Sequence, residues 1–350
     1  MVKVKIADIL IGDGAPCFII AEAGVNHNGD ISLARKLIEM AKDAGADAVK
    51  FQTFKTEEVV TKSAGKAEYQ KKTTGTKETQ YEMIKKLELP EEAHFGLKSY
   101  ADNRGIMFLS TPYDEGSVDF LSRLGVAALK ISSADITNHP LLSYIAAKNL
   151  PVILSTGMST LGEVEEALVV ITKSGNDQVV LLHCNFNYPA RIEDMNLRAM
   201  ATIKQAFGFP VGFSDHTMGI EISLAAVAMG AVVIEKHFTL DRNMAGPDHR
   251  SSLEPDELKE MVSKIRNIEK ALGSNIKKPT GPEIKNRLIS RRSLVAGVII
   301  EEGTIITGDM LKIKRPGTGI PPKYLNDVIG RKATKSIRQD ELIIWNKVGE

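Results

Sequence analysis

From Phe18 onward, short apolar runs that end in polar residues alternate eight times with longer segments of helical period. A strand buried on both faces is continuously apolar, whereas a covering helix shows one apolar stripe, so this alternation predicts a parallel sheet with crossover helices. The strand runs are Phe18 to Ala23, Ala48 to Thr53, Ile106 to Thr111, Ala128 to Ser133, Val152 to Gly157, Val179 to Asn185, Val211 to Thr217 and Val232 to Thr239. Helical segments between them include Ser32 to Ala44, Gly116 to Leu124, Leu141 to Lys148, Leu161 to Lys173 and Leu197 to Phe207, and Glu254 to Leu272 follows the last strand. Eight such units favour a closed (β/α)8 barrel over an open doubly wound sheet. Val2 to Ile11, with the Asp13-Gly14 turn, is expected to form a hairpin that plugs the barrel's N-terminal end.

A barrel of about 250 residues does not use up the chain. The alternation stops at Gly273, and Ser274 to Ser290 is polar and carries Pro279, Gly281 and Pro282. It predicts a linker (274–290) between a barrel domain (1–273) and a second, β-rich domain (291–350). The β segments expected there are Ser293 to Ile300, Thr304 to Thr307, Met310 to Ile313 and Leu342 to Trp345. Ile300-Glu301-Glu302-Gly303-Thr304-Ile305-Ile306 is loosely echoed by Ile337-Arg338-Gln339-Asp340-Glu341-Leu342-Ile343, which suggests a compact module with internal symmetry.

The 45 basic and 44 acidic side chains leave a net charge of +1, with no field to attract nucleic acid or an anionic membrane, so a small-molecule partner is favoured. The two cysteines, Cys17 and Cys184, sit in apolar runs and are read as buried thiols in a reducing compartment, with a single disulfide as the competing reading. The most apolar stretch, Leu224 to Ile234, falls short of the roughly 20 residues of a membrane span, and a cytoplasmic protein is expected.

Barrel enzymes place their chemistry at the C-terminal ends of the strands. Those ends carry Glu22, then Lys50 and Gln52, Ser110 and Thr111, Lys130 with Ser132 and Ser133, Ser155, His183 and Asn185, Ser214 to His216, and Glu235 to His237. Any one of these residues is more simply a solvated strand cap. Together they are not, because the lysines, histidines and glutamates lie inside apolar runs where an unpaired charge costs several kcal/mol. Period two puts Lys50 with Gln52, Ser214 with His216, and Glu235 with His237 on shared faces. His216 and His237 end neighbouring strands, and closure brings Glu22 beside them. Two imidazoles and a carboxylate suit a divalent transition metal, Mn2+ ahead of Mg2+ or Co2+, although a histidine there can also bind phosphate or shuttle a proton. Lys50 and Lys130, with Thr111, Ser133, Ser155 and Ser214, supply point charges and hydroxyls for a small dianion such as a phosphate ester. Gly12-Asp13-Gly14 lacks the flanking strand and helix of a nucleotide-binding loop.

The runs Ile20-Ala21-Glu22-Ala23-Gly24-Val25-Asn26-His27-Asn28-Gly29-Asp30, Val49-Lys50-Phe51-Gln52-Thr53, Phe108-Leu109-Ser110-Thr111-Pro112, Leu154-Ser155-Thr156-Gly157-Met158, Ser214-Asp215-His216-Thr217, Glu235-Lys236-His237-Phe238-Thr239-Leu240-Asp241 and Gly246-Pro247-Asp248-His249 resemble those of sialic acid (nonulosonate) synthases. Lys314-Arg315-Pro316-Gly317-Thr318-Gly319-Ile320 resembles that family's C-terminal antifreeze-like (SAF) domain. The resemblance implies condensation of phosphoenolpyruvate with an N-acylated mannosamine. It gives His216 and His237 the metal, and Glu22 the orientation or deprotonation of a water. It gives phosphoenolpyruvate to Lys50, Thr111, Lys130, Ser133, Ser155 and Ser214, and the acceptor sugar to Gln52, Tyr188, Glu235 and Asp248. Arg315 is implied to reach the acyl group from the lid of a partner subunit in a domain-swapped homodimer. Ala134 stands where the family usually has Gly, and Phe186 where N-acetylneuraminate synthases have Asn. Glu193-Asp194-Met195-Asn196-Leu197 and Ile222-Ser223-Leu224-Ala225-Ala226-Val227 are more similar to legionaminate synthases, whose acceptor is 2,4-diacetamido-2,4,6-trideoxymannose. The rival readings are another phosphoenolpyruvate-dependent synthase or Schiff-base aldolase on the same barrel, and a non-catalytic sugar-binding protein.

Overall fold

The computed structural model describes residues 2–350. The chain forms two compact units, one ending at Gly273 and one running from Ser274 to Glu350. The first begins with an antiparallel hairpin of β1 (Val4–Ile6) and β2 (Ile9–Ile11), paired Val4 to Ile11 and Ile6 to Ile9. Its turn is therefore at Ala7 and Asp8, with Ala7 at φ 48°, and not at Asp13-Gly14. The latter pair makes a separate turn closed by Ala15 N–H on the Gly12 carbonyl at 3.1 Å.

Eight strands follow: β3 (Phe18–Gly24), β4 (Ala48–Thr53), β5 (Met107–Pro112), β6 (Leu129–Ile131), β7 (Val152–Ser155), β8 (Val179–Cys184), β9 (Val211–Asp215) and β10 (Val233–His237). They form one parallel sheet in the order β5-β4-β3-β10-β9-β8-β7-β6. β6 packs against β5, closing the ring where the hydrogen-bond ladder is interrupted.

Period two divides every strand between two environments. The outward set, including Ile19, Val49, Phe51, Phe108, Leu154, Leu181, Phe213 and Ile234, packs against the surrounding helices. The inward set changes character along the barrel axis. At the N-terminal end Phe18, Ile20, Ala48, Leu109, Ala128, Ile153, Val180, Leu182 and Val233 form an apolar layer closed from below by Val4, Ile6 and Ile11 of the hairpin. Farther along the same faces lie Glu22, Lys50, Thr111, Lys130, Ser155, Ser214 and Glu235, all buried. Gly212 belongs to the crowded inner layer, because a β-carbon there would lie 2.5 Å from the Val233 carbonyl oxygen and 2.8 Å from Leu182 Cδ2.

Two barrel helices lack the stripe that identifies the others in sequence. Glu91–Arg104 buries His94 among Ala93, Leu97 and Ala101, and Glu221–Ala228 is apolar nearly all round. Between β4 and Glu91 the chain also folds into three short helices, Thr56–Val59, Glu68–Thr74 and Gln80–Lys85.

The second unit differs from its expected outline. The segment read as a linker contains the helix Gly281–Ser290. Pro282 lies in its first turn, where no intrahelical N–H is lost, and Thr280 N–H donates to the Glu283 carboxylate at 2.7 Å across the start. Only Ser293–Ala296 (β11) and Leu311–Lys314 (β12) form a ladder, whereas Thr304–Thr307 and Leu342–Trp345 contribute single bridges at Ile305 and Leu342. The two echoed segments meet at their first residues, since Ile300 and Ile337 exchange backbone hydrogen bonds of 2.9 and 2.8 Å. Leu294, Ile300, Ile306, Ile337 and Ile343 are central in this unit's core.

Candidate active site

Strand register places the polar inward residues in one narrow throat. Glu22 is opposite both Lys50 and His237, and Glu235 is opposite Ser214. Lys50 Nζ lies 2.7 Å from Glu22 and 3.7 Å from Glu235, and donates to Thr111 Oγ1 at 2.9 Å. Lys130 Nζ is 3.6 Å from the other oxygen of Glu235, which also accepts from Ser214 Oγ at 3.0 Å. Ser133 Oγ accepts from the Gly157 N–H at 2.9 Å and lies 3.1 Å from Cys184 Sγ. Ser155 Oγ is buried and makes no hydrogen bond among the described residues.

These surroundings drive the two carboxyls apart. Burial pushes Glu22 up to about 7, with Lys50 opposing and Glu235 reinforcing the shift. Burial acts on Glu235 as well, yet Lys130 and Lys50 outweigh it and hold that carboxyl at about 2. For Lys50, burial is outweighed by Glu22 and Glu235, so it stays above its usual value. Burial pulls Lys130 down, and Glu235 only partly restores it. Near pH 7 Glu22 is poised between its protonated and ionised forms, so two lysines face one firmly ionised carboxylate and one that is only partly charged. The surplus positive charge and four hydroxyls make the throat an anion site in a low-dielectric setting.

His216 and His237 stand at its rim with ring centroids 5.6 Å apart. His216 Nδ1 is 2.6 Å from the Asn185 carbonyl oxygen. A carbonyl only accepts, so Nδ1 carries the proton and Nε2 keeps its lone pair, the arrangement of a metal ligand oriented from behind. His237 Nδ1 is buried without a partner. Burial lowers His216 to about 4 and, with His216 and Lys50 adding to it, holds His237 well below its usual value, so both rings are neutral near pH 7, as a ligand must be. A β-carbon added to Gly24, at φ 53°, would lie 3.3 Å from both Glu22 Oε1 and His237 Cε1, so glycine keeps a notch open between them. Among the described residues no cluster of three or more His, Cys, Asp or Glu forms a metal cage. The donor set fits a metal held by two imidazoles with the remaining positions open to water and substrate.

The throat opens into a chamber of about 460 Å3. Gln52, Tyr113, Phe186, Tyr188 and His237 line both spaces. The Tyr188 ring lies tilted against His216 with centroids 4.2 Å apart and continues through Tyr69 at 5.1 Å and Phe186 at 5.5 Å as an aromatic wall. Gln52, Asp135 and Asp248 are polar groups on the chamber, while Val25, Phe54, Met83, Ile84 and Leu87 form its apolar side. Burial alone pushes Asp248 up to about 7.

Ten of the residues singled out from sequence thus share the throat: Glu22, Lys50, Thr111, Lys130, Ser133, Ser155, Ser214, His216, Glu235 and His237. Gln52 and Tyr188 stand where it meets the chamber, and Asp248 in the chamber wall. Arg315 belongs to the second unit, exposed just beyond β12. His183, Asp215 and Lys236 belong to the strands' other face, His183 bonding the Met195 carbonyl at 2.8 Å. Cys17 and Cys184 are free thiols. Cys184, Tyr113 and Tyr69 were missed as lining residues. For Cys184 the signal was present, since it follows the inward Val180 and Leu182 at period two.

A (β/α)8 barrel with paired lysines, divergent carboxyls and neutral histidines at the C-terminal ends of its strands defines an enzyme for small anionic substrates. Residues 37–277 match the NeuB family and residues 291–349 the SAF domain. The chain is 54% identical over 327 residues to N,N'-diacetyllegionaminic acid synthase of Campylobacter jejuni, covering 93% of this chain and 98% of that protein. It is 48% identical over 341 residues to the protein of the same name from Legionella pneumophila, covering 96% of each. The crystal structure of N-acetylneuraminic acid synthetase from Leptospira borgpetersenii, in complex with citrate, superposes with a TM-score of 0.73 at 38% identity, covering 81% of this chain and 95% of that one. The chain belongs to the NeuB family, with a C-terminal SAF domain.

Proposed function

We propose that the protein condenses phosphoenolpyruvate with an N-acylated mannosamine and water, giving a sialic-acid-type nonulosonate and phosphate. We assign 2,4-diacetamido-2,4,6-trideoxymannose as acceptor and N,N'-diacetyllegionaminate as product, with N-acetylmannosamine the weaker substrate. The observation that carries this reading is a buried throat lined by two lysines and four hydroxyls that opens into a chamber with both polar and apolar walls.

Lys50 and Lys130 hold the carboxylate and phosphate of phosphoenolpyruvate, and Thr111, Ser133, Ser155 and Ser214 donate hydroxyl hydrogen bonds. Glu235, ionised between both lysines, fixes their positions. Gln52, Tyr188 and Asp248 orient the open-chain sugar so that its C1 carbonyl lies above C3 of the enol. A divalent metal, Mn2+ ahead of Mg2+ or Co2+, would be held by His216 and His237 and would supply a Lewis acid for that carbonyl. As C3 bonds to C1, positive charge develops at C2. Water adds there, Glu22 in its ionised form accepting one proton and passing it to the C1 oxygen, which the new bond leaves as an alkoxide. Phosphate leaves by C–O cleavage with the C2 hydroxyl's proton as the C2 ketone forms. The C-terminal unit acts as a lid on a second copy's barrel in a homodimer, with Arg315 on the acyl carbonyl. No described helix is long and apolar enough to cross a membrane, and we place the enzyme in the cytoplasm.

Phosphate release is measured with phosphoenolpyruvate, Mn2+ and a panel of mannosamine derivatives in heavy-oxygen water. The label is expected at C2 of the nonulosonate. Label in inorganic phosphate, or no acceptor-dependent release, overturns the reading. The lowered Lys130 favours a Schiff-base aldolase as the second reading, and inactivation by borohydride with pyruvate would select it.

A further inference from the structure

Two charged residues at the polar end of the barrel do not enter the throat. Asp215 and Lys236 are partners in register on β9 and β10. They alternate with Ser214, His216, Glu235 and His237, and so point to the opposite face. Both side chains are 0% exposed, with Lys236 Nζ 2.9 Å from Asp215 Oδ2. Lys236 Nζ also donates to the Thr217 carbonyl at 2.7 Å. Asp215 Oδ1 accepts from the Thr217 N–H and hydroxyl at 2.9 and 2.7 Å, and Oδ2 accepts from Ser223 Oγ at 2.6 Å. One network therefore ties together the end of β9, the turn after it, β10 and the helix Glu221–Ala228.

A fully buried ion pair is a poor device for stability alone, because desolvation offsets its attraction and apolar side chains of similar volume serve as well or better. It does supply direction. His216 adjoins Asp215, and Glu235 and His237 flank Lys236, so neither strand end can slide or rotate without breaking charged hydrogen bonds. The imidazoles one residue away are thereby held at their 5.6 Å separation.

We propose that Asp215 and Lys236 are positioning residues that set the spacing of His216 and His237 for a divalent cation, acting from behind the strands. The inference rests on the reading of the two histidines as a metal site. The Asp215→Asn, Lys236→Met double variant removes both charges at once and leaves an amide oxygen to accept from Thr217. Mn2+ affinity is read by paramagnetic resonance titration without substrates, and phosphoenolpyruvate affinity by calorimetry. Mn2+ binding is expected to weaken about tenfold, the lower end of the usual effect of outer-shell changes at a metal site, because the two residues act through the strand backbone and not through a bond to either imidazole. Phosphoenolpyruvate affinity is expected to fall clearly less than Mn2+ affinity, because its two lysines stand on β4 and β6 and only Ser214 and Glu235 share the altered strands. Unchanged Mn2+ affinity, or equal loss of both affinities, overturns the positioning role. If the double variant does not fold, Ser223→Ala decides: several-fold weaker Mn2+ binding supports the role and none refutes it. Failure of the unaltered protein to bind Mn2+ is a separate result that removes the metal reading and this inference with it.

Discussion

Replacing Asp248 with Asn isolates the cost of a buried carboxyl in the chamber above the throat. Asp248 is 7% exposed, and burial raises its carboxyl from the ordinary 3.8 to about 7. Below pH 3.8 the folded and unfolded chains both hold the proton, and the site costs nothing. Between 3.8 and about 7 the unfolded chain releases it while the fold retains it, so stability falls as pH rises. Above about 7 both states are ionised and the loss levels off. That interval corresponds to roughly 4 kcal/mol. Asn has nearly the same volume and does not titrate. Its advantage over the unaltered protein should therefore grow from about 0.5 kcal/mol near pH 4 to about 4 kcal/mol near pH 9. The assay is urea unfolding without substrates across that range, followed by far-ultraviolet circular dichroism, since the single tryptophan, Trp345, lies in the second unit. A stability difference that stays constant with pH would refute the reasoning, for it would mean that Asp248 titrates like an exposed carboxyl. In the same variant kcat/KM for the acceptor should fall while the affinity for phosphoenolpyruvate holds.

Phe186→Asn should shift selectivity toward N-acetylmannosamine by roughly tenfold in kcat/KM, because a hydroxyl buried without a partner costs about 1 to 3 kcal/mol. An unchanged ratio between the two acceptors would remove Phe186 from the selection of the sugar. Gly24→Ala places a methyl 3.3 Å from Glu22 Oε1 and His237 Cε1 at φ 53°, and should cost about 1 to 2 kcal/mol of stability while lowering kcat more than tenfold. Full turnover by a folded Gly24→Ala protein would show that the notch is not used. Arg315→Ala should weaken acceptor use roughly ten- to hundredfold with phosphoenolpyruvate affinity spared, the size of one charge-assisted hydrogen bond. Mixing it with Lys50→Ala protein should restore activity in heterodimers if the lid works in trans, and no recovery in confirmed heterodimers places Arg315 in cis or outside the site.

The barrel was legible because its signals are local. Each strand declares itself by an apolar run, and period two assigns Lys50 with Gln52 and Glu235 with His237 to common faces without reference to anything distant. The same locality explains the misplaced hairpin turn and the helix Gly281–Ser290, where Asp13-Gly14 and Pro282 were read as punctuation by composition, although proline is at home in a helix's first turn. Tertiary structure decided which polar residues meet. Lys50 and Glu235 stand 3.7 Å apart only because the ring closes, and the opposite shifts of Glu22 and Glu235 arise from that distance and from burial. The chamber's apolar side is likewise built from Met83, Ile84 and Leu87, in a stretch of short helices with no period of its own. Sequence thus determined the fold and the parts of the site, since strand periodicity is written residue by residue. Which parts face one another, and in what state of charge, was decided by packing across the barrel, where contacts join residues that have no influence on each other along the chain.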